Sequence, residues 1–177
     1  NNELNCTIVS LPISHFKLHK IKEVQEADIV NLHGVTHILD YKSFFKKCNQ
    51  PIVWTLHDIN PIAGIFHLRT DEKANTQVAK KLNDKVFAYK KKAYIYFNKG
   101  AIVAPSNWLY KEAINRKVFK GKKHVEIQNS IPDTFFDQSR REIFSQYKSI
   151  DESKTKILFV ASDLKDKNKG IDLFYHA

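Results

Sequence analysis

Residues 51–64 read PIVWTLHDINPIAG, and the character of the chain changes halfway along them. Residues 51–56 form a near-continuous run of apolar and β-branched side chains, which suits a strand covered by the rest of the protein. His57, Asp58 and Asn60 then arrive together, followed by the turn-forming Pro61 and Gly64. An imidazole and a carboxylate therefore stand side by side where a buried strand stops.

Four other runs have the same form: DIVNLHG at 28–34, AIVAPSN at 101–107, HVEIQNS at 124–130 and KILFVAS at 156–162. All but HVEIQNS carry near-continuous apolar residues, as parallel strands buried in an α/β sheet do. Helical patterns separate them. One over 38–45 is short; one over 73–98 is long and lysine-rich, with Val78, Leu82, Val86, Tyr89, Ala93 and Tyr96 three or four residues apart. Gly100 reads as the left-handed residue closing that helix. Ser106 reads as the N-cap of a helix beginning NWLYKEAINRKVF, with Trp108 and Leu109 in the core. Asp137 or Ser139 is placed to cap a segment over 140–147.

Strand and helix alternate, so the expected fold class is α/β: a Rossmann-like open, mostly parallel sheet with helices on both faces. In such sheets ligands bind beyond the carboxyl ends of the strands. His33, His57, Asp58, Ser106 and Asn129 close these runs and fall on that edge. The polar stretch 133–153 interrupts the alternation, and the strand, basic loop and helix start after it are too little for a domain. Residues 1–152 are read as one domain, and 153–177 as the start of a second. The absence of any methionine and a first residue of Asn fit a piece of a longer protein.

With 42% hydrophobic residues and only five each of Gly and Pro, the chain can bury a core and is neither disordered nor low-complexity. Cys6 and Cys48 are too few for a disulfide framework and fit no metal-ligand spacing, which favours a reducing, cytoplasmic setting. No apolar run approaches the roughly 20 residues a membrane helix needs. The net charge is +10, with basic clusters at Lys90, Lys91 and Lys92 and again at Arg116, Lys117, Lys120, Lys122 and Lys123. Such charge attracts nucleic acid, anionic bilayers or phosphorylated ligands, or simply keeps a surface soluble. No nucleic-acid-binding motif accompanies it, so a basic nucleic-acid-binding α/β domain is the alternative reading.

The order TLHD, VAPSNWL, V-x-I-x-N-S-I-P-D, ILFVASDLKDKNKG resembles the retaining glycosyltransferases of family 4, which have the two-domain GT-B fold. The resemblance runs from ADIVNLHGV at Ala27 to the end of the chain, and is similar in particular to members that build bacterial surface polysaccharides. It implies transfer of a sugar from a nucleotide-sugar donor to a saccharide or lipid-linked acceptor, with retention and without a metal or other cofactor. His57 matches a histidine that faces the cleft and touches the transferred sugar. Asn129 lies at the approach to the hinge, and Lys169, before Gly170, matches a basic residue that neutralises the donor diphosphate. Asp58 is taken with His57 as a catalytic candidate, and Ser106, Asn129, Lys169 and Gly170 as donor-binding candidates.

Each residue also has a local reading. His57 and His33 can bond neighbouring backbone, Asp58 its own turn, and Ser106 the helix it caps; Asn129 can shape a turn, and Lys169 can be one more solvated lysine. Departures from the family accompany the matches. The paired glutamates of the second domain lie beyond Ala177, nothing like the glycine-rich loop precedes Ala27, and Asn129-Ser130 replaces the usual Asn-Gly. The Arg often found upstream of the diphosphate-binding lysine is not evident either. The chain is accordingly expected to be inactive alone, with a cytoplasmic location and peripheral contact with an anionic inner membrane.

Overall fold

The computed structural model describes residues 4–136, 153–155 and 157–176. Contacts divide the chain into two compact units, Asn1–Ser130 and Ile131–Ala177. The boundary read at 152 and the segment 140–147, with its caps Asp137 and Ser139, lie outside the described residues.

The first unit is an α/β domain built on a four-stranded parallel sheet in the order β1-β2-β3-β4. The strands are β1 (Val30–His33), β2 (Ile52–Thr55), β3 (Gly100–Ala104) and β4 (Lys123–Glu126). Helices α1 (Lys22–Glu26), α2 (Tyr41–Lys47), α3 (Arg69–Ala74), α4 (Lys80–Tyr94) and α5 (Asn107–Arg116) flank it. The Rossmann-like open sheet expected from the sequence is therefore present. His33, Thr55, Val103 and Val125 stand level across the four strands, so all four carboxyl ends open on one edge.

Burial is uneven between the sheet faces. Leu32, Ile52, Trp54 and Ile102 share one face and join the core, whereas Asn31 and His33 on the other face of β1 are exposed. Consecutive strand order explains this, because successive right-handed crossovers return on the same side. Aromatic rings fill the covered side. Trp54 meets Tyr41 edge-on at 5.5 Å, Phe45 stacks on Phe97 at 5.4 Å, and Tyr94 lies against Phe119 at 4.6 Å. Such pairs add about 0.5–1.5 kcal/mol each beyond their buried area.

Three local expectations are corrected. The long helix is broken: α3 ends at Asn75, whose side chain donates to the Asp71 carbonyl and to the carbonyl of Asn5. The buried face of α4 runs through Val86, Lys90, Ala93 and Tyr94, while Val78, Leu82 and Tyr96 are exposed. The periodic reading included Val86 and Ala93 but missed Lys90 and Tyr94, because it placed a lysine on the surface. Gly100 is the first residue of β3, with φ +140°, and a Cβ there would overlap the Ile52 carbonyl oxygen. It permits close strand approach rather than ending a helix.

Lys90 has no exposed surface. Its ammonium donates to the Asn60 carbonyl at 2.6 Å, the Gly64 carbonyl at 2.7 Å and the Asn60 side-chain oxygen at 3.0 Å. One turn later, the Tyr94 hydroxyl donates to the Pro61 carbonyl at 2.5 Å. Earlier in α4, Asn83 accepts from the Ile65 amide at 2.9 Å. One helix face thus satisfies the carbonyls and amides of the loop after β2. A second tie comes from Arg116, which grips Glu72 through two bonds of 3.0 and 2.6 Å and reaches Glu112. Burial works against ionising Glu72, but the bonds from Arg116 and Arg69 outweigh it and hold the carboxyl below its usual range.

The second unit contains a 3₁₀ turn at Asp133–Phe135, another at Lys167–Lys169, and the short helix α6 (Ile171–Tyr175). The run expected to form a fifth strand is not one over 157–161, and Ile157, Leu158 and Val160 are exposed. A strand needs a ladder partner, and none is present among the described residues of this unit. Gly170 precedes α6 with φ +73°, a conformation that glycine adopts without strain.

Lys90→Met is expected to lower stability by about 3 kcal/mol, because removing one partner strands buried carbonyls. Burial pushes the Lys90 amine down to about 7, with the Asp58 carboxylate partly opposing. An unfolded lysine titrates near about 10.4, so above pH 7 the unfolded chain holds the extra proton and folding gains as pH rises. Urea melts should show the wild-type advantage over Lys90→Met growing between about pH 7 and pH 10. A constant advantage would refute the assignment.

Candidate functional site

The site is built where β1 and β2 end. β2 leaves the sheet at Thr55, Leu56 is fully buried and donates its amide to the Val103 carbonyl at 2.8 Å, and His57 emerges exposed. β1 ends at His33, also exposed, and Gly34 turns the chain with φ +50°. Parallel pairing of the two strands brings the imidazoles together: His33 Nδ1 lies 3.0 Å from His57 Nε2, with ring centroids 5.2 Å apart. One nitrogen of the pair must carry the hydrogen and the other must accept it. The bond therefore couples the tautomers of the two rings, and it requires at least one ring to be neutral. His33 Nε2 and His57 Nδ1 take no part in it.

Asp58 faces a different direction chemically. Its Oδ1 accepts from the Asn60 amide at 2.8 Å, and its Oδ2 lies 2.6 Å from Nδ1 of the buried His67. The carboxylate thus organises the loop that follows it. Ser106 caps α5 by accepting from the Leu109 amide at 3.3 Å, and it stands on the same sheet edge beyond β3. Asn129 is exposed three residues past the end of β4. Asn107 spans the adjacent gap by donating to Glu126 at 3.0 Å. Lys169 and Gly170 belong to the second unit, where Lys169 is exposed and its amide donates to the Asp166 carbonyl at 2.9 Å.

His33 and His57 are thus brought together, with Ser106 and Asn129 on the same edge. Two residues went unrecognised as site components. Trp108, read as core, is 54% exposed in the first turn of α5. His67 was not singled out, although HDINPIAGIFH places two histidines around one aspartate. Of the basic cluster at 90–92, Lys90 is inside, whereas Lys91 and Lys92 are exposed. Among the described residues no group of three or more His, Cys, Asp or Glu is placed to hold a metal ion, and no helix is long and apolar enough to cross a membrane.

Replacing His33 by Ala should shift the ring nitrogen resonances of His57 while changing stability by no more than about 0.5 kcal/mol, as for an exposed position. Nitrogen-15 spectra across the histidine titration check this, and unchanged His57 signals would mean that the two rings are not coupled. No protein-family model, curated protein or solved structure matches the chain.

Proposed function

We propose that the chain forms the acceptor-side domain and the beginning of the donor domain of a retaining glycosyltransferase, moving a sugar from a nucleotide-sugar donor to a saccharide or lipid-linked acceptor in surface polysaccharide synthesis. The observation that carries this reading is the exposed, hydrogen-bonded His33–His57 pair at the carboxyl edge of a parallel sheet. That edge is where open α/β sheets hold ligands.

The chemistry suits the reading. A sugar presents hydroxyls, and an imidazole whose tautomer is coupled to that of its neighbour offers them a donor or an acceptor. His57 is the residue assigned to the transferred sugar, His33 the one that orients it, and Asp58 the anchor of the loop that begins at His57. Trp108 offers an apolar ring face for the sugar's carbon–hydrogen surface. Ser106 and Asn129 line the same edge as donor contacts. Lys169, beside Gly170, supplies positive charge for the departing nucleoside diphosphate, on which negative charge develops during transfer. No metal is required by this scheme. Its setting is the cytoplasmic face of a membrane, where lysines attract anionic headgroups around a lipid-linked acceptor.

The test is release of nucleoside diphosphate from nucleotide sugars by the full-length protein in the presence of a chelator. His57→Ala is expected to reduce turnover by roughly 100-fold or more, on the scale of a lost positioned polar group. His33→Ala should lower it less, since it removes only the partner that orients His57. Full activity in His57→Ala would remove this site from the reaction.

A further inference from the structure

We propose that Ser10, His67 and Asp58 form a second site, a serine nucleophile that cleaves esters of short apolar carboxylic acids. The proposal shares Asp58 with the sugar-transfer reading but uses neither His33 nor His57, so the two can fail separately. Ser10 Oγ lies 2.7 Å from His67 Nε2, and His67 Nδ1 lies 2.6 Å from Asp58 Oδ2. A carboxylate only accepts, so Nδ1 carries a proton, and in the neutral ring the Nε2 lone pair receives the Ser10 hydroxyl. These are the contacts by which an imidazole, oriented by an acid, takes a proton from serine.

The three groups are held from both sides. Ser10 and His67 are each 5% exposed, and the free oxygen of Asp58 is fixed by the Asn60 amide. Ser10 sits on an N-terminal strap tied down along its length. Asn5 donates its amide to Asn75 and Thr7 donates to Asp71, both at 2.9 Å. Val9 bridges Phe66, and the Ser10 amide donates to Ile65 at 3.0 Å. A buried serine that only needs a partner could end there. Ser10, however, also lines an open groove of about 450 Å³ with Val9, Leu11, Ile13, His37, Ile65 and Leu82. That volume falls in the range of small-molecule sites, and its mostly aliphatic walls favour an acyl chain of a few carbons.

In the reaction, Ser10 Oγ bonds to the ester carbonyl carbon as its proton passes to His67 Nε2. Asp58 stabilises the imidazolium without taking that proton. Collapse of the tetrahedral adduct breaks the carbon–oxygen bond to the alcohol, which leaves with the proton from His67. Water then attacks the acyl-serine, gives its proton to His67, and releases the carboxylic acid as that proton returns to Ser10.

The protein is incubated with a fluorophosphonate probe and, separately, with p-nitrophenyl butyrate. A phosphonyl adduct mapped by mass spectrometry to Ser10, and hydrolysis reduced about 100-fold or more in Ser10→Ala and His67→Gln, are expected. Leu82→Trp fills the groove from an exposed helix position without touching the hydrogen-bond chain, and should slow labelling while leaving the melting temperature near wild type. Absence of an adduct on Ser10 in the folded wild-type protein, or equal labelling and hydrolysis in Leu82→Trp, would overturn the proposal.

Discussion

A lysine side chain buried to zero exposure is the constraint on which the sheet edge carrying His57 depends. Between β2 and α3 the chain must turn away from the sheet while remaining inside the protein, through a 3₁₀ turn at Asn60–Ile62 whose residues are all buried. A buried loop leaves backbone carbonyls without water, and each one stranded costs about 1–3 kcal/mol. Lys90 and Tyr94, one turn apart on α4, meet three of those carbonyls, and Asn83 meets an amide. Gly64 completes the fit, since a Cβ there would overlap Asn83. Three acceptors around Lys90 Nζ match the three hydrogens of an ammonium, whereas desolvation favours the neutral amine. The balance leaves a group that titrates near pH 7 at the centre of the loop.

The pinned loop places its two histidines in contrasting surroundings. His57, at the start, is exposed and shares a hydrogen with His33 across adjacent parallel strands. His67, at the end, is buried and bonded to Asp58 and Ser10. Asp58 bonds inward, to Asn60 and His67, and leaves His33 and His57 to bond each other at the sheet edge. A loose loop would place neither ring reproducibly, and a positioning error of about 1 Å is enough to weaken catalysis substantially.

The parallel sheet was legible because apolar runs of near-continuous burial, each closed by polar residues, carry a strong pattern at 28–34, 51–58 and 101–107. Ser106 was legible as a cap for the same reason that capping is local: the residue serves an amide three positions ahead. What sequence could not show depends on partners distant in the chain. Lys90 reads as one more surface charge until Asn60 and Gly64 are seen around it. Gly100 reads as a helix stop until Ile52 is seen beside it. The run at 156–162 has the composition of a strand, yet composition supplies no hydrogen-bonding neighbour. Trp108 looks like core because tryptophan usually is, but the first turn of α5 turns it outward.

The central claim is that α4 holds the loop from His57 to His67 in place through Lys90. Amide hydrogen exchange across residues 57–67, compared between the wild-type protein and Lys90→Met under native conditions, tests it most directly. The account predicts that protection of the Asn60, Ile62 and Ile65 amides collapses in the variant while the amides of β2 and β3 remain protected. Loop protection unchanged in the folded variant, or lost equally in loop and sheet, would contradict it.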